Sequence, residues 1–303
     1  MIKKNLTSTI FMSIAIGISL FSCSDDDNSE MDNQSISIFA SNNANGNIEI
    51  LNFESGQNVD SKTLITTSLA ADGIYYDKAT SSVFQASRSA NSLEGFANVD
   101  TQSMGASVTI DFMGTNDMSS PREVAVNNNL FVVADNSDVD DDATTLDGRL
   151  FVYNFSNGSF SLRNIITTDF KLWGITFIGN DLYAVVDADN ELAVFSNFLN
   201  TTTNTTLSAS KRIVIEGITR THGLTYDLSS DTMIMTDIGA ASNGQDDGGF
   251  HVITNFMSKF SSVSNGGILS VSEQLRVSGA STLLGNPVDV AYDSGSDIIY
   301  IAE

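Results

Sequence analysis

From residue 35 onward, apolar residues come in short runs separated by stretches rich in Ser, Thr, Asn and Asp. That is how a many-turned β protein reads. One unit recurs: a short apolar strand, a turn, a second apolar strand, then two weaker strands. Its copies are GIYYD at 73–77 with VFQAS at 83–87, EVAV at 123–126 with LFVVAD at 130–135, and GITF at 174–177 with LYAVVD at 182–187. Two more follow, GLTYD at 223–227 with MIMTD at 233–237, and DVAYD at 289–293 with IIYIAE at 298–303. Counted from Ile74, the first strands recur at Val124, Ile175, Leu224 and Val290, at intervals of 50, 51, 49 and 66. A Ser/Gly-rich insertion at 261–267 accounts for the longer last step. Third strands are expected at 92–99, 149–155, 191–195 and 249–253.

Four short strands per roughly fifty residues is the arithmetic of a β-propeller blade. A four-stranded antiparallel sheet cannot bury both faces alone, so neighbouring blades pack face to face around an axis. The pattern P-x-x-V-A-V … L-F-V-A-D, clearest at 121–135 and 287–303, resembles that of the NHL-repeat and related six-bladed propellers. The resemblance covers most of 35–303. It implies an all-β propeller of four-stranded blades, six in number, and says little about activity. At the amino end, 36–41 reads as a second strand and 46–53 as a third, so the first blade lacks its innermost strand. At the other end, Glu303 closes a second strand, which leaves the last blade incomplete in this chain. The expectation is a truncated chain or an open ring, whose unpaired edge would invite other strands.

The first 34 residues follow a different rule. Lys3 and Lys4 precede a nearly uncharged run from Ile10 to Phe21, too short to span a bilayer and suited to a signal peptide covering 1–22. Leu20, Phe21, Ser22 and Cys23 resemble the bacterial lipobox, which implies lipidation of Cys23. The acidic run Asp25–Asp26–Asp27 is similar to the surface-export signal of Bacteroidetes lipoproteins. Residues 23–34 are then a lipidated cysteine with a polar tether, and 35–303 the propeller domain. The expected location is the outer membrane, lipid-anchored and exposed at the cell surface.

Composition narrows the partners. Apolar residues make up 41% of the 303 positions, enough for a sizeable core. The net charge is −23, which excludes nucleic acid and favours divalent cations and cationic or neutral partners. Cys23 is the single cysteine, so the domain has no disulfide and no cysteine-based chemistry.

Propeller ligands bind where the connections into the innermost strands converge. The residues just ahead of those strands are Asp72, Arg122 with Glu123, Trp173, His222 and Asp289. Such diversity at corresponding positions suits a pocket, with Trp173 as a stacking wall and Arg122 as an anion fork. The bland alternative is a set of loop residues with private hydrogen bonds. Resemblance to gluconolactonase-like propellers implies a metal on the axis, and Asp72, Glu123 and Asp289 would offer oxygen ligands to Ca²⁺ or Mg²⁺, with His222 as base. Asp138, Asp140 and Asp142 are candidate Ca²⁺ ligands in an acidic loop. An EF-hand is rejected there, because Ala143 replaces its glycine and Arg149 its glutamate. A second acidic loop holds Asn243, Asp246 and Asp247.

The acids that end second strands, Asp135, Asp187, Asp237 and Glu303, read as structural. Residues 201–206 read as a long surface turn, and Phe155, Phe195, Phe198 and Phe256 as filler between blades. The leading expectation is a surface binding or scaffold module for a glycan, a peptide or a partner protein. The alternatives are a divalent-metal-dependent hydrolase or lactonase acting on the axis, and a structural subunit of an outer-membrane complex.

Overall fold

The computed structural model describes residues 36–53, 59–142, 144–240 and 247–303. The signal segment, Cys23, the tether, Asn243 and Asp246 lie outside the described residues. Within them the chain folds into consecutive antiparallel sheets. Blade 1 holds Ile36–Ser41, Ile48–Phe53 and Val59–Leu64. Blade 2 holds Ala71–Asp77, Ser82–Ser87, Ser92–Phe96 and Phe112–Met113. Blade 3 holds Pro121–Asn127, Leu130–Asp135, Gly148–Ser156 and Ser159–Thr168. Blade 4 holds Leu172–Ile178, Asp181–Val186, Glu191–Phe195 and Lys211–Ile215. Blade 5 holds Leu224–Asp227, Thr232–Asp237, Gly249–Thr254 and Leu275–Ser278. A two-stranded sheet of Asp289–Asp293 and Ile298–Ala302 follows.

The turns explain the repeated acid after the inner strand. Asp77 accepts the Ala79 N–H at 2.9 Å, Asp227 the Ser230 N–H at 2.7 Å and Asp293 the Ser296 N–H at 3.1 Å. Each closes its hairpin as an Asx-turn. Each hairpin then needs one left-handed residue, supplied by Ser81, Asp231 and Asp297.

The core lies between blades, and strand alternation builds it. In blade 2, Val83 points into the cluster shared with blade 1 (Ile48, Ile50, Leu64), while Phe84 points into the one shared with blade 3 (Phe131, Phe151, Tyr153). In blade 3, Val132 and Ala134 face blade 4 while Phe131 and Val133 face blade 2. Side chains two apart share a face, so second strands sandwiched on both sides are buried along their whole length. Phe195, Phe198 and Phe256 fill these clusters as expected, and Phe155 packs half-buried among Phe84, Phe112 and Phe160.

Ile36–Ser41 stands apart. It holds a second-strand position yet is half-exposed, because no inner strand pairs with it among the described residues. At the far end, Tyr300 meets Phe53 with ring centroids 5.1 Å apart, which sets the last sheet against blade 1.

Two expectations change. Residues 201–206 are more than a turn: Thr205–Leu207 pairs in parallel with the outer strand of blade 3. Ile268–Leu269 does the same for blade 4, and Ser107 bridges to Ile65 beside blade 1. In each case the connection before a blade's outer strand covers the edge of the preceding blade, blunting a surface that would otherwise attract other strands. The long step between the last two repeats contains the helix Phe256–Ser262, anchored by buried Phe256 and Phe260.

Candidate functional site

The candidate site is made by β-bulges. In blade 2, Ala71 pairs with Ser87 and Ile74 with Gln85, so Asp72 and Gly73 face a single residue, Ala86. The same break leaves Arg122 and Glu123 out of the ladder in blade 3, and Trp173 and Gly174 in blade 4. A bulge bends its strand and re-aims the side chains it carries. Three successive inner strands therefore turn unlike side chains toward one mouth. Close approach of these strands requires glycine: a Cβ on Gly73 would lie 2.5 Å from Glu123 Cα, and one on Gly174 would lie 2.5 Å from the His222 carbonyl oxygen. The Gly174 N–H donates to that carbonyl at 2.9 Å, joining blades 4 and 5 by backbone.

Four of the predicted residues form one continuous ladder, a residue from each blade. Arg122 Nη1 donates to Asp72 at 2.8 Å. Its guanidinium lies 4.0 Å from the Trp173 ring centroid, and the His222 ring stacks on Trp173 at 3.7 Å with an interplanar angle of 4°. Two groups that close to one ring cannot share a face, so the tryptophan is sandwiched. Trp173 is therefore no open stacking wall; only its edge remains accessible.

Beneath the ladder sits Asp187, which sequence reasoning assigned to structure. It takes the Asn136 amide at 3.0 Å and Arg220 at 2.9 Å, and lies 3.5 Å from His222 Nε2. Burial alone would raise its carboxyl, but the contacts from His222, Asn136 and Arg220 outweigh burial and hold it well below the ordinary range. Burial also lowers the His222 imidazole, against the opposing pull of Asp187, so the ring is neutral at pH 7. Arg88 joins from blade 2, 3.7 Å from Asp72. A sequence signal for these additions existed: Arg88 and Asn136 each follow the last residue of a second strand, and Arg220 precedes His222 by two.

Glu123 and Asp289 form a second group, linked by their charges. Both are half-exposed. Burial, reinforced by the charges of Asp289 and Asp72, pushes Glu123 well above the carboxylate range, although it accepts the Val124 N–H at 2.8 Å. Burial likewise pushes Asp289 up to about 6, against the stabilising Val290 N–H and together with the Asp72 charge. The expected ion site of Asp72, Glu123 and Asp289 does not assemble. Asp72 is committed to Arg122, and the three carboxylates do not approach closely enough to share an ion.

Among the described residues, the group of acids close enough for that is Asp138, Asp140 and Asp147, with ligand atoms within 4.8 Å of one another. Asp142 is not in it, because its carboxylate accepts the Thr144 N–H and hydroxyl in a local turn. Asp147 takes its place, and Lys171 stands 3.7 Å from Asp138. An open groove of about 630 Å³ runs from Asp140 and Asp147 past Lys171 to Asp187 and Asp189.

No family model matches this chain, and no curated protein matches it. Among solved structures 464 chains match. One, from the crystal structure of a nidogen/laminin complex, aligns at a TM-score of 0.55 with 14% identity, over 89% of this chain and 86% of its own. At that identity the likeness speaks for the fold alone. The fold is a β-propeller.

Proposed function

We propose that this protein is a lipid-anchored cell-surface propeller, six-bladed and related to the NHL type, that binds a partner protein at its axial mouth. The observation that carries the reading is the ladder from Asp72 through Arg122 and Trp173 to His222. Four blades each contribute one polar or aromatic side chain to a single half-buried surface, an arrangement that packing does not require. The structural neighbour comes from a complex of two proteins, which fits a fold used for protein binding. Cys23 and the acidic tether would place the mouth outside the cell.

Two measurements test this. Cys23→Ser should abolish palmitate labelling and move the protein from the detergent to the aqueous phase; unchanged partitioning would sink the anchor. A photo-crosslinking amino acid at Arg88, on the mouth, should give a specific adduct in living cells. The same group at Leu228, exposed in the turn at the opposite end of the blade, should give none. Equal labelling from both ends would remove the mouth as the binding face.

A further inference from the structure

Three of the chain's seven arginines, Arg88, Arg122 and Arg220, gather at the mouth of a protein whose net charge is −23. Arg122 is the buried member, with 10% of its side chain exposed, and its Nε has no hydrogen-bond partner among the described residues. The Arg220 Nε is likewise buried and unpaired. Arg88 and Arg220 stand on either side with 36% and 34% of their side chains exposed, open to an incoming group. Asp72 takes Arg122 through Nη1 and Asp187 takes Arg220 through Nη2, so each guanidinium keeps an Nε donor without an acceptor among the described residues.

We infer that the mouth recognises a carboxylate side chain, Asp or Glu, on an acidic segment of the partner protein, held by Arg88 and Arg220 and ordered by Arg122. The inference rests on the binding role proposed above and supplies its ligand class. Planar guanidinium groups fit a carboxylate through paired hydrogen bonds. A peptide source is favoured over an acidic sugar by the sandwiched tryptophan: both faces of Trp173 are occupied, so no free aromatic face is left there for a sugar ring.

Trp173 is the chain's single tryptophan, so its fluorescence reports this site alone. The full chain in detergent is applied to an array of random heptapeptides with both termini blocked, and retained peptides are titrated against Trp173 emission. Retained peptides should share an Asp or Glu whose replacement by Asn or Gln weakens binding about tenfold or more, in line with the strength of charge-assisted pairs. Arg88→Ala, on a half-exposed side chain outside the core, and Arg122→Lys, which keeps the charge but not the fork, should each lose a comparable factor. Hits indifferent to the acid, hits indifferent to both arginine variants, or no hits at all would overturn the inference. So would saturable quenching by hexagalacturonate without any peptide binding, since the carboxylate would then come from a sugar. Neutral peptides that bind and still need Arg122 would overturn the carboxylate while leaving the binding role intact.

Discussion

Asp135 and Asp187 end matching sequence motifs, yet strand pairing sets them one residue apart: Pro121 pairs with Asp135 in blade 3, whereas Leu172 pairs with Val186 in blade 4, so Asp187 stands where blade 3 has Asn136. Asp135 is fully buried and braces its own blade: it accepts the Ser119 and Ser120 N–H groups and pairs with Arg149. Asp237 does the same for Thr219 and Arg220, and Glu303 for Gly285 and Asn286. In blade 4 the bracing position is held by Val186, and the Thr168 hydroxyl donates to the Phe170 carbonyl instead, while the Asp187 N–H donates to Lys171 just as the Asn136 N–H donates to Ser120. The Asp187 carboxylate is left free to meet Asn136 of blade 3 and Arg220 and His222 ahead of blade 5. A shift of one residue along the strand changes the role of an acid: the last paired residue faces its own incoming connection, and the residue after it meets the neighbouring blades.

The comparison can be broken experimentally. Asp135→Ala strands a partly buried arginine and two backbone donors, so a stability loss of about 2–4 kcal/mol is expected in urea unfolding. Asp187→Ala should cost less, about 1–2 kcal/mol, while weakening binding at the mouth. Equal stability losses would show that Asp187 is another brace. Gly174→Ala drives a Cβ against the His222 carbonyl and should cost about 1–3 kcal/mol while disturbing the Trp173 emission.

Asp289 predicts an effect of the opposite sign. Its folded-state pKa, up to about 6, lies above that of an unfolded aspartate. The folded state therefore binds the proton more tightly. Its destabilising contribution is absent below the unfolded value near 3.9, grows as pH rises through about 6, and is complete above it. Asp289→Asn should raise stability at pH 7.5 by on the order of 1–3 kcal/mol and flatten the slope between pH 4 and 6.5. A variant as stable as wild type at both ends of that range would deny the carboxyl pair its strain. Smallest of all, Asp140→Asn at an exposed position of the acidic loop should shift the metal-free melting midpoint by the equivalent of about 0.5 kcal/mol or less.

The repeat was legible because every blade solves the same packing problem with the same period of two. Strands such as Val83 to Ser87 and Leu130 to Asp135 could be placed to within a residue or so. The ladder residues could be nominated because they interrupt that pattern at corresponding places. Their roles were less legible. Nothing in the spacing of Trp173 says that Arg122 and His222 cover both its faces, because each contact joins residues about fifty positions apart on different blades. Asp142 and Asp147 exchanged places for a local reason: the hydroxyl and N–H of Thr144 captured the former.

By itself, then, the sequence determined the all-β repeat, the alternation that sends Val83 to one neighbour and Phe84 to the other, and the residues that break the pattern ahead of the inner strands. Those are properties of one strand and its immediate turn, where period and propensity act. Tertiary structure alone decided which interruptions touch. The bulges re-aim them, and glycines at 73 and 174 let neighbouring strands close on Glu123 and His222. The assembled blades bring the charges of Asp289 and Asp72 to bear on Glu123, so that carboxyls far apart in the chain compete for protons.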